Sequence, residues 1–346
     1  MTPVLQELLI AVVKVAVLIN VLLGVFSLMT YLERRVLAFM QFRLGPNRTG
    51  PFGLLQPIAD GIKLFFKEEA MPEGASRWAF VAAPIVSIAT AFTAIAVIPY
   101  GPPQRLPAWT LLPEWLRERE ISFQVADLNV GLLFIFAITA LGVYGIVMAG
   151  WAANNKYTLL GGLRSSAQMF SYELSLGLSW VGIIMLAGSF KVADIVNHQA
   201  GWFIHWNMFP QFLAFVVYVI AGTAEVSRTP FDLPEGETEL VAGFHTEYSS
   251  MKFALMQMAE YINMITVAVL VSDLFLGGWH SGTPWVGPSF FWFVGKVAAM
   301  LFFFVWLRGT LPRFRYDQLM HFGWKVLIPV AAVNVLATAT WVALVH

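Results

Sequence analysis

Residues Leu8 to Tyr31 read LLIAVVKVAVLINVLLGVFSLMTY, a run interrupted by one charge, Lys14. About twenty apolar residues cross the roughly 30 Å hydrocarbon core of a bilayer. This stretch therefore sets the solvent in which the chain folds. It is too long for a signal-peptide core, no basic residue precedes Lys14, and Glu33-Arg34-Arg35 follows it. It reads as a retained first span with its positive flank on the C-terminal side.

The rest of the chain repeats the pattern. Of 346 residues, 58% are hydrophobic and 12% charged, with a mean hydropathy of +0.69, which excludes an ordinary soluble domain. A twenty-residue window predicts eight spans: Leu8 to Tyr31, Trp78 to Tyr100, Asn129 to Trp151, Ala167 to Gly188, Pro210 to Val226, Met251 to Leu276, Phe290 to Leu307 and Phe322 to Leu344. The fifth is the shortest. No repeat, low-complexity tract or long polar linker divides the chain, so residues 1–346 form one all-α membrane domain, with functional cytoplasmic loops expected at about 32–77 and 227–250.

Basic residues in short loops stay cytoplasmic. The odd-numbered loops hold Arg34, Arg35, Arg43, Arg48, Lys63, Lys67, Arg77, Lys156, Arg164, Arg228, Arg308, Arg313 and Arg315, against Arg105, Arg117, Arg119 and Lys191 in the even-numbered ones. Both termini are therefore expected on the non-cytoplasmic side. Within the first loop Leu54, Leu55, Ile58, Ile62, Phe65 and Phe66 share one helical face, with Asp60, Lys63 and Lys67 on another. This is a helix lying in the interface plane or one packed on the bundle.

Several chemistries are excluded. Lys+Arg and Asp+Glu both number 21, so no basic field holds nucleic acid. With no cysteine, the chain cannot ligate an iron–sulfur cluster through thiolates. No glycine-rich nucleotide loop, His-Glu-x-x-His site or Gly-x-Ser-x-Gly elbow occurs. His198, His205, His245, His280, His321 and His346 all fall in expected loops or at ends, which disfavours a haem clamped between spans.

The sequence places acid where lipid penalises it. Glu173 falls one to two turns into the fourth expected span, Glu225 ends the fifth and Glu260 lies inside the sixth. Each costs a few kcal/mol unless paired, hydrated or protonated. Groups that titrate near the working pH can relay protons, and a structural pair with Lys14, Arg228 or a helix terminus is the alternative. Asp273 reads as a cap or interface residue. The fifth loop, RTPFDLPEGETELVAGFHTEY over 228–248, sets Asp232, Glu235, Glu237, Glu239 and Glu247 against Arg228. Pro230, Pro234 and Gly236 break helix there. Phe231, Leu233, Leu240, Val241 and Phe244 interleave with the acids, so a folded loop at a cavity mouth or partner interface is expected.

Glu33-Arg34-Arg35, Arg43-Leu44-Gly45-Pro46-Asn47-Arg48 and Gln56-Pro57-Ile58-Ala59-Asp60-Gly61-Ile62-Lys63-Leu64-Phe65 resemble the first cytoplasmic loop of one family, the membrane heel subunits (H subunits) of NADH:quinone oxidoreductase, respiratory complex I. Trp151-Ala152-Ala153-Asn154-Asn155-Lys156-Tyr157, Ser171-Tyr172-Glu173, the acidic loop, Ala259-Glu260-Tyr261 and Pro312-Arg313-Phe314-Arg315-Tyr316-Asp317-Gln318-Leu319 continue the resemblance, in order, over nearly the whole chain. It implies an eight-span subunit where the two arms of the complex meet, in a bacterial inner membrane. Arg34, Asp60, Arg228, Asp232, Glu235, Tyr261 and Arg308 would line or support a quinone cavity. Glu173, Glu225, Glu235, Glu239, Glu247 and Glu260 would form the carboxylate path to proton-pumping subunits. Quinone would be the substrate, FMN and iron–sulfur clusters would belong to partner subunits, and the chain alone would hold no complete active site. The departures are Val226-Ser227, where the family usually has Thr-Asn, and the loop from Gly101 to Asp127. Two other readings are the membrane subunit of an energy-converting hydrogenase and an independent ion antiporter. Related halves with interrupted spans would mark many antiporters, and none is evident.

Overall fold

In lipid every backbone N–H and C=O must be satisfied within the segment, so the apolar runs form helices. A computed structural model describes residues 3–105, 120–232 and 240–345. The helices are α1 (Pro3–Met40), α2 (Gln56–Phe66), α3 (Arg77–Ile95), α4 (Gly131–Ala152), α5 (Lys156–Ala187), α6 (Val192–His198), α7 (Phe212–Glu225), α8 (Ser250–Phe275), α9 (Phe290–Thr310), α10 (Tyr316–Phe322) and α11 (Ile328–Val345). A two-residue hairpin, β1 (Gln104–Arg105) with β2 (Glu120–Ile121), closes the outer part of the loop after α3.

Among the described residues seven helices are long and apolar enough to cross a membrane: α1, α3, α4, α5, α8, α9 and the continuous run Tyr316–Val345. The expected fifth span is α7, which has 14 residues and reaches about 21 Å at 1.5 Å per residue. It is an apolar helix too short to span by itself. Within Tyr316–Val345, Pro329 removes the donor for the carbonyl of Lys325, and Gly323–Leu327 widens into a π turn.

Two helices overrun their expected boundaries. The 38 residues of α1 extend about 57 Å, so Glu33-Arg34-Arg35 is helix and the first loop begins after Met40 rather than at 32. Likewise α5 starts at Lys156, caps its first turn with Asn155 accepting from Tyr157 N at 3.0 Å, and ends at left-handed Gly188. Glu173 therefore sits midway along it, and Lys156 and Arg164 are helical rather than loop residues.

The core is built on α8, buried almost continuously from Met264 to Phe275 and packed against α3, α7 and α9. Small residues bring α4 and α5 together. A Cβ on Gly150 would lie 2.7 Å from Thr158 O, and one on Gly162 would lie 3.2 Å from Gly150 Cα. Helix α2 has no buried residue; Ile58, Ile62, Phe65 and Phe66 are exposed. Its apolar stripe is not packed on the bundle. The ties run through Asp60 to Arg34 and through Leu64 O, which accepts from Ser250 Oγ at 3.0 Å.

Candidate functional site

Glu33 is brought to the core by the stripe that buries α1. Leu22 and Met29 lie on that stripe, Phe26 meets Tyr261 edge-on at 5.4 Å, and Glu33 follows Met29 by one turn with 4% exposure. Tyr261 Oη donates to Glu33 Oε2 at 2.6 Å and Arg228 Nη1 to Oε1 at 3.2 Å, while Arg308 Nη1 also reaches Oε1. A carboxylate buried this far is tolerated because charge-assisted bonds surround it.

Arg228 also faces the second predicted acid. Its Nε is 2.8 Å from Glu260 Oε1, and its guanidinium lies 4.4 Å from the centre of the Tyr261 ring. One cation thus joins Glu33 of α1 to Glu260 of α8, with Arg308 of α9 closing the group. These acids hold the Arg228 guanidinium more firmly protonated than usual, against the opposing effect of burial.

The segment carrying Arg228 is fixed from several sides. The helix α7 ends at Glu225, and Ser227 adopts a left-handed φ of 56°. Gln168 Nε2 donates to Ala224 O at 2.7 Å and Phe231 O at 2.8 Å. The Phe231 ring sits between those of Tyr172 and Phe314, and Phe314 N donates to Pro230 O at 3.1 Å. The Thr229-Pro230 peptide is cis.

Beside this group lies a cavity of about 60 Å³, lined by Glu225, Ser227, Gln257, Glu260 and Asn263 among apolar side chains. Two of the predicted acids from different helices therefore share one mainly apolar space. Glu173 of α5 is near enough to Glu225 for their charges to repel. A smaller cavity of about 20 Å³ begins at Glu225 and Asn263 and continues along Thr266, Val267 and Leu270.

Other predicted residues stand apart. Arg34 pairs with Asp60 at 2.7 Å, with side chains 54% and 33% exposed, and Gln56 Nε2 donates to Asp60 at 3.0 Å. Asp232 pairs with Arg313 at 2.8 Å. Glu247 accepts from Asn155 Nδ2 at 2.6 Å and does not line the cavity. Glu235 and Glu239 lie outside the described residues. Lys14 donates to Ser122 Oγ and Gln124 O, tying α1 to the loop after α3. Asp273, expected as a cap or interface residue, is fully buried.

Sequence reasoning misses Glu33 as a site residue because the charge run reads as the end of the first span. The available signal is the spacing: Leu22, Met29 and Glu33 recur on one helical face. Arg313 is likewise missed as the partner of Asp232. Among the described residues no three His, Asp or Glu side chains converge as a metal would require.

The chain matches the NADH dehydrogenase family over residues 13–339. It is 52% identical over 343 residues, 99% of both chains, to the first of two H subunits of NADH-quinone oxidoreductase in Geobacter metallireducens. It is 50% identical over 346 residues, 97% of this chain and 98% of the relative, to an H subunit of the NADH-quinone oxidoreductase of Koribacter versatilis. It is also 50% identical over 340 residues, 95% of each, to the H subunit of the enzyme from Thermomicrobium roseum. The buried charge group and its cavity thus sit in a polytopic helical chain that belongs to the NADH dehydrogenase family.

Proposed function

We propose that this chain is the membrane subunit of a proton-translocating NADH:quinone oxidoreductase, helping to form the quinone cavity and coupling quinone reduction to proton movement. The observation that carries the reading is the shared cavity of Glu225 and Glu260, with Arg228 joining Glu260 to Glu33 beside it. A net charge change near Arg228 alters the field on both acids at once. Coupling between quinone chemistry and proton movement is then electrostatic and conformational.

The chain carries no electron. It has no cysteine to ligate an iron–sulfur cluster; iron–sulfur clusters and, in line with the family resemblance, FMN reside in partner subunits, which deliver electrons to quinone. Arg228, Tyr261 and Arg308 support the cavity wall from inside the bundle. Arg34 of α1 paired with the partly exposed Asp60 of α2, and Asp232 with Arg313, support its mouth, where Glu235 also belongs. The proton path uses Glu173, Glu225 and Glu260, and Glu235, Glu239 and Glu247 connect it to the loop. Hydrophilic quinone-site subunits cover the loop side, and antiporter-like membrane subunits receive the coupling.

The chain crosses a bacterial inner membrane eight times, with α7 as the short crossing and both termini on the non-cytoplasmic side. The basic excess of the odd-numbered loops supports that orientation. The apolar stripe of α2 lies in the interface plane.

The test is to tag the C-terminus, solubilise native membranes gently, identify what co-purifies and assay NADH:quinone reduction. Flavin and iron–sulfur subunits with quinone reductase activity are expected. A chain reproducibly free of partners in intact preparations would overturn the reading in favour of an independent ion transporter.

A further inference from the structure

Asp273 lies at the end of α8 opposite the Arg228 group, thirteen residues beyond Glu260, or about 20 Å along the helix. It is 0% exposed, and neither carboxylate oxygen has a hydrogen bond. The nearest cation is Lys296 of α9. A structural salt bridge would set its ammonium on the carboxylate. Instead Lys296 Nζ spends its three N–H groups on Leu276 O at 2.5 Å, Gly278 O at 2.9 Å and His280 O at 2.7 Å, and sits 4.2 Å from the centre of the Trp206 ring. The lysine caps the C-terminal end of α8 and supplies positive potential without bridging the acid. Asp273 can therefore gain or lose a proton without breaking a hydrogen bond.

A polar route leads towards it from Glu225. The smaller cavity runs from Glu225 and Asn263 past Trp180, Tyr218 and Thr266 to Leu270. Tyr218 Oη and Trp180 Nε1, 0% and 4% exposed as residues, have no hydrogen-bond partner. Their rings lie 6.1 Å apart. Two and three residues past Leu270, beyond the cavity, come Ser272 and Asp273, both 0% exposed, and the Ser272 hydroxyl is also without a partner. Buried polar atoms of this kind are commonly satisfied by water, and Tyr218, Trp180, Ser272 and Asp273 offer such atoms between Glu225 and the far end of α8. Beyond Asp273 the charged and titratable groups facing it or its cation are Lys296, Tyr100 after α3, and His280.

We infer that Asp273 is the terminal acid of a proton branch that leaves Glu225, follows the Tyr218–Trp180 cavity between α5, α7 and α8, and ends at the face of the bundle opposite Arg228. This rests on the proposed proton-coupling role of Glu225. In the step itself an O–H bond breaks at the Glu225 carboxyl and one forms at Asp273, through intervening hydroxyls and water, with no electron transferred. Release then passes Tyr100 and the loop after α8.

The test uses the whole complex reconstituted in vesicles, measuring protons moved per NADH oxidised and NADH:quinone turnover in uncoupled vesicles. Asp273→Asn is expected to lower the proton ratio by at least a fifth with uncoupled turnover within twofold of the unmodified complex, and Asp273→Glu to restore part of the ratio. An unchanged ratio in assembled Asp273→Asn complex would overturn the branch. Should Asp273→Asn fail to assemble, Tyr218→Phe decides, because it removes only the buried hydroxyl: a lowered ratio supports the branch and an unchanged one overturns it. Glu225→Gln in parallel separates the two ideas. If Glu225→Gln slows coupled turnover while Asp273→Asn pumps normally, the branch alone fails; if both pump normally, the coupling role of Glu225 fails with it.

Discussion

Removing Arg228 should damage the protein by breaking its ion pairs with Glu33 and Glu260, and removing the Glu260 charge as well should repair part of that damage. The guanidinium stands 3.2 Å from Glu33 Oε1 and 2.8 Å from Glu260 Oε1, where an effective dielectric of 20 gives attractions of about 5 to 6 kcal/mol each. Desolvation offsets most of this in the intact group, but breaking a buried pair costs about 3–5 kcal/mol. Glu33 keeps Arg308 and the Tyr261 hydroxyl, whereas Glu260 loses its ion pair with Arg228. In Arg228→Met the Glu260 carboxylate loses this cation, and Glu260→Gln added to it should recover about 2 kcal/mol, a factor of roughly thirty in an equilibrium. By itself Glu260→Gln should be mild, because Arg228 keeps Glu33 and the Tyr261 ring. The assay is the inactivation half-life of the detergent-solubilised complex for the four members of this cycle. Arg228→Met should shorten it at least tenfold, Glu260→Gln less than threefold, and the double variant should outlive Arg228→Met. A double variant as short-lived as the product of the single effects would refute the idea that Arg228 serves chiefly to balance these two acids.

Three further outcomes follow from local geometry. A Cβ on Gly161 would lie 2.7 Å from Phe244 N and 2.8 Å from Gly243 Cα; Gly161→Ala should therefore push the 243–244 backbone off α5 at a cost of about 1–3 kcal/mol, read as a lower melting temperature of the complex, and an unchanged melting temperature would contradict that contact. Ser227 holds a left-handed φ of 56°, a conformation in which asparagine is several-fold enriched; Ser227→Asn should lengthen the inactivation half-life, and Ser227→Val should shorten it. Partial burial and the nearby Lys296 charge lower the His280 pKa from its ordinary value. The unfolded chain therefore binds a proton at His280 more readily than the folded one, so stability rises with pH through this window, is level above about 6.5, and falls as pH drops below it. His280→Gln should flatten that acid limb in a melting-temperature series, and an identical limb would remove His280 from the account.

How much of this is legible in the sequence depends on what each signal measures. Hydropathy locates every long helix, because crossing lipid demands a continuous apolar run, and it marks the fifth span as the shortest. It misjudges the ends of α1 and α5 because helix hydrogen bonds continue past the hydrocarbon edge where charges begin. That is why Glu33, helical and 4% exposed, reads from sequence as part of a loop flank. Acids inside apolar runs are visible one by one, so Glu225 and Glu260 stand out, but their common cavity depends on how α7 and α8 pack. The pairing of Glu260 with Arg228, which the sequence offers as an alternative to proton relay, is present alongside that cavity. Arg34 with Asp60 and Asp232 with Arg313 are pairings across 26 and 81 residues, which no local pattern encodes. Asp273 reads as a cap because it lies near a helix end. In fact the loop after α8 and Lys296 cover that end.

The claim at the centre of the account is that the carboxylates around the larger cavity couple quinone reduction to proton movement. Glu225 tests it most directly, since it lines both cavities and stands outside the ion pairs that Arg228 makes. The measurement is acidification driven by NADH oxidation in vesicles containing the complex with Glu225→Gln, at matched amounts of assembled enzyme. The account predicts that both the rate of acidification and coupled NADH:quinone turnover fall at least fivefold while the complex remains assembled. Acidification at the unmodified rate would contradict it.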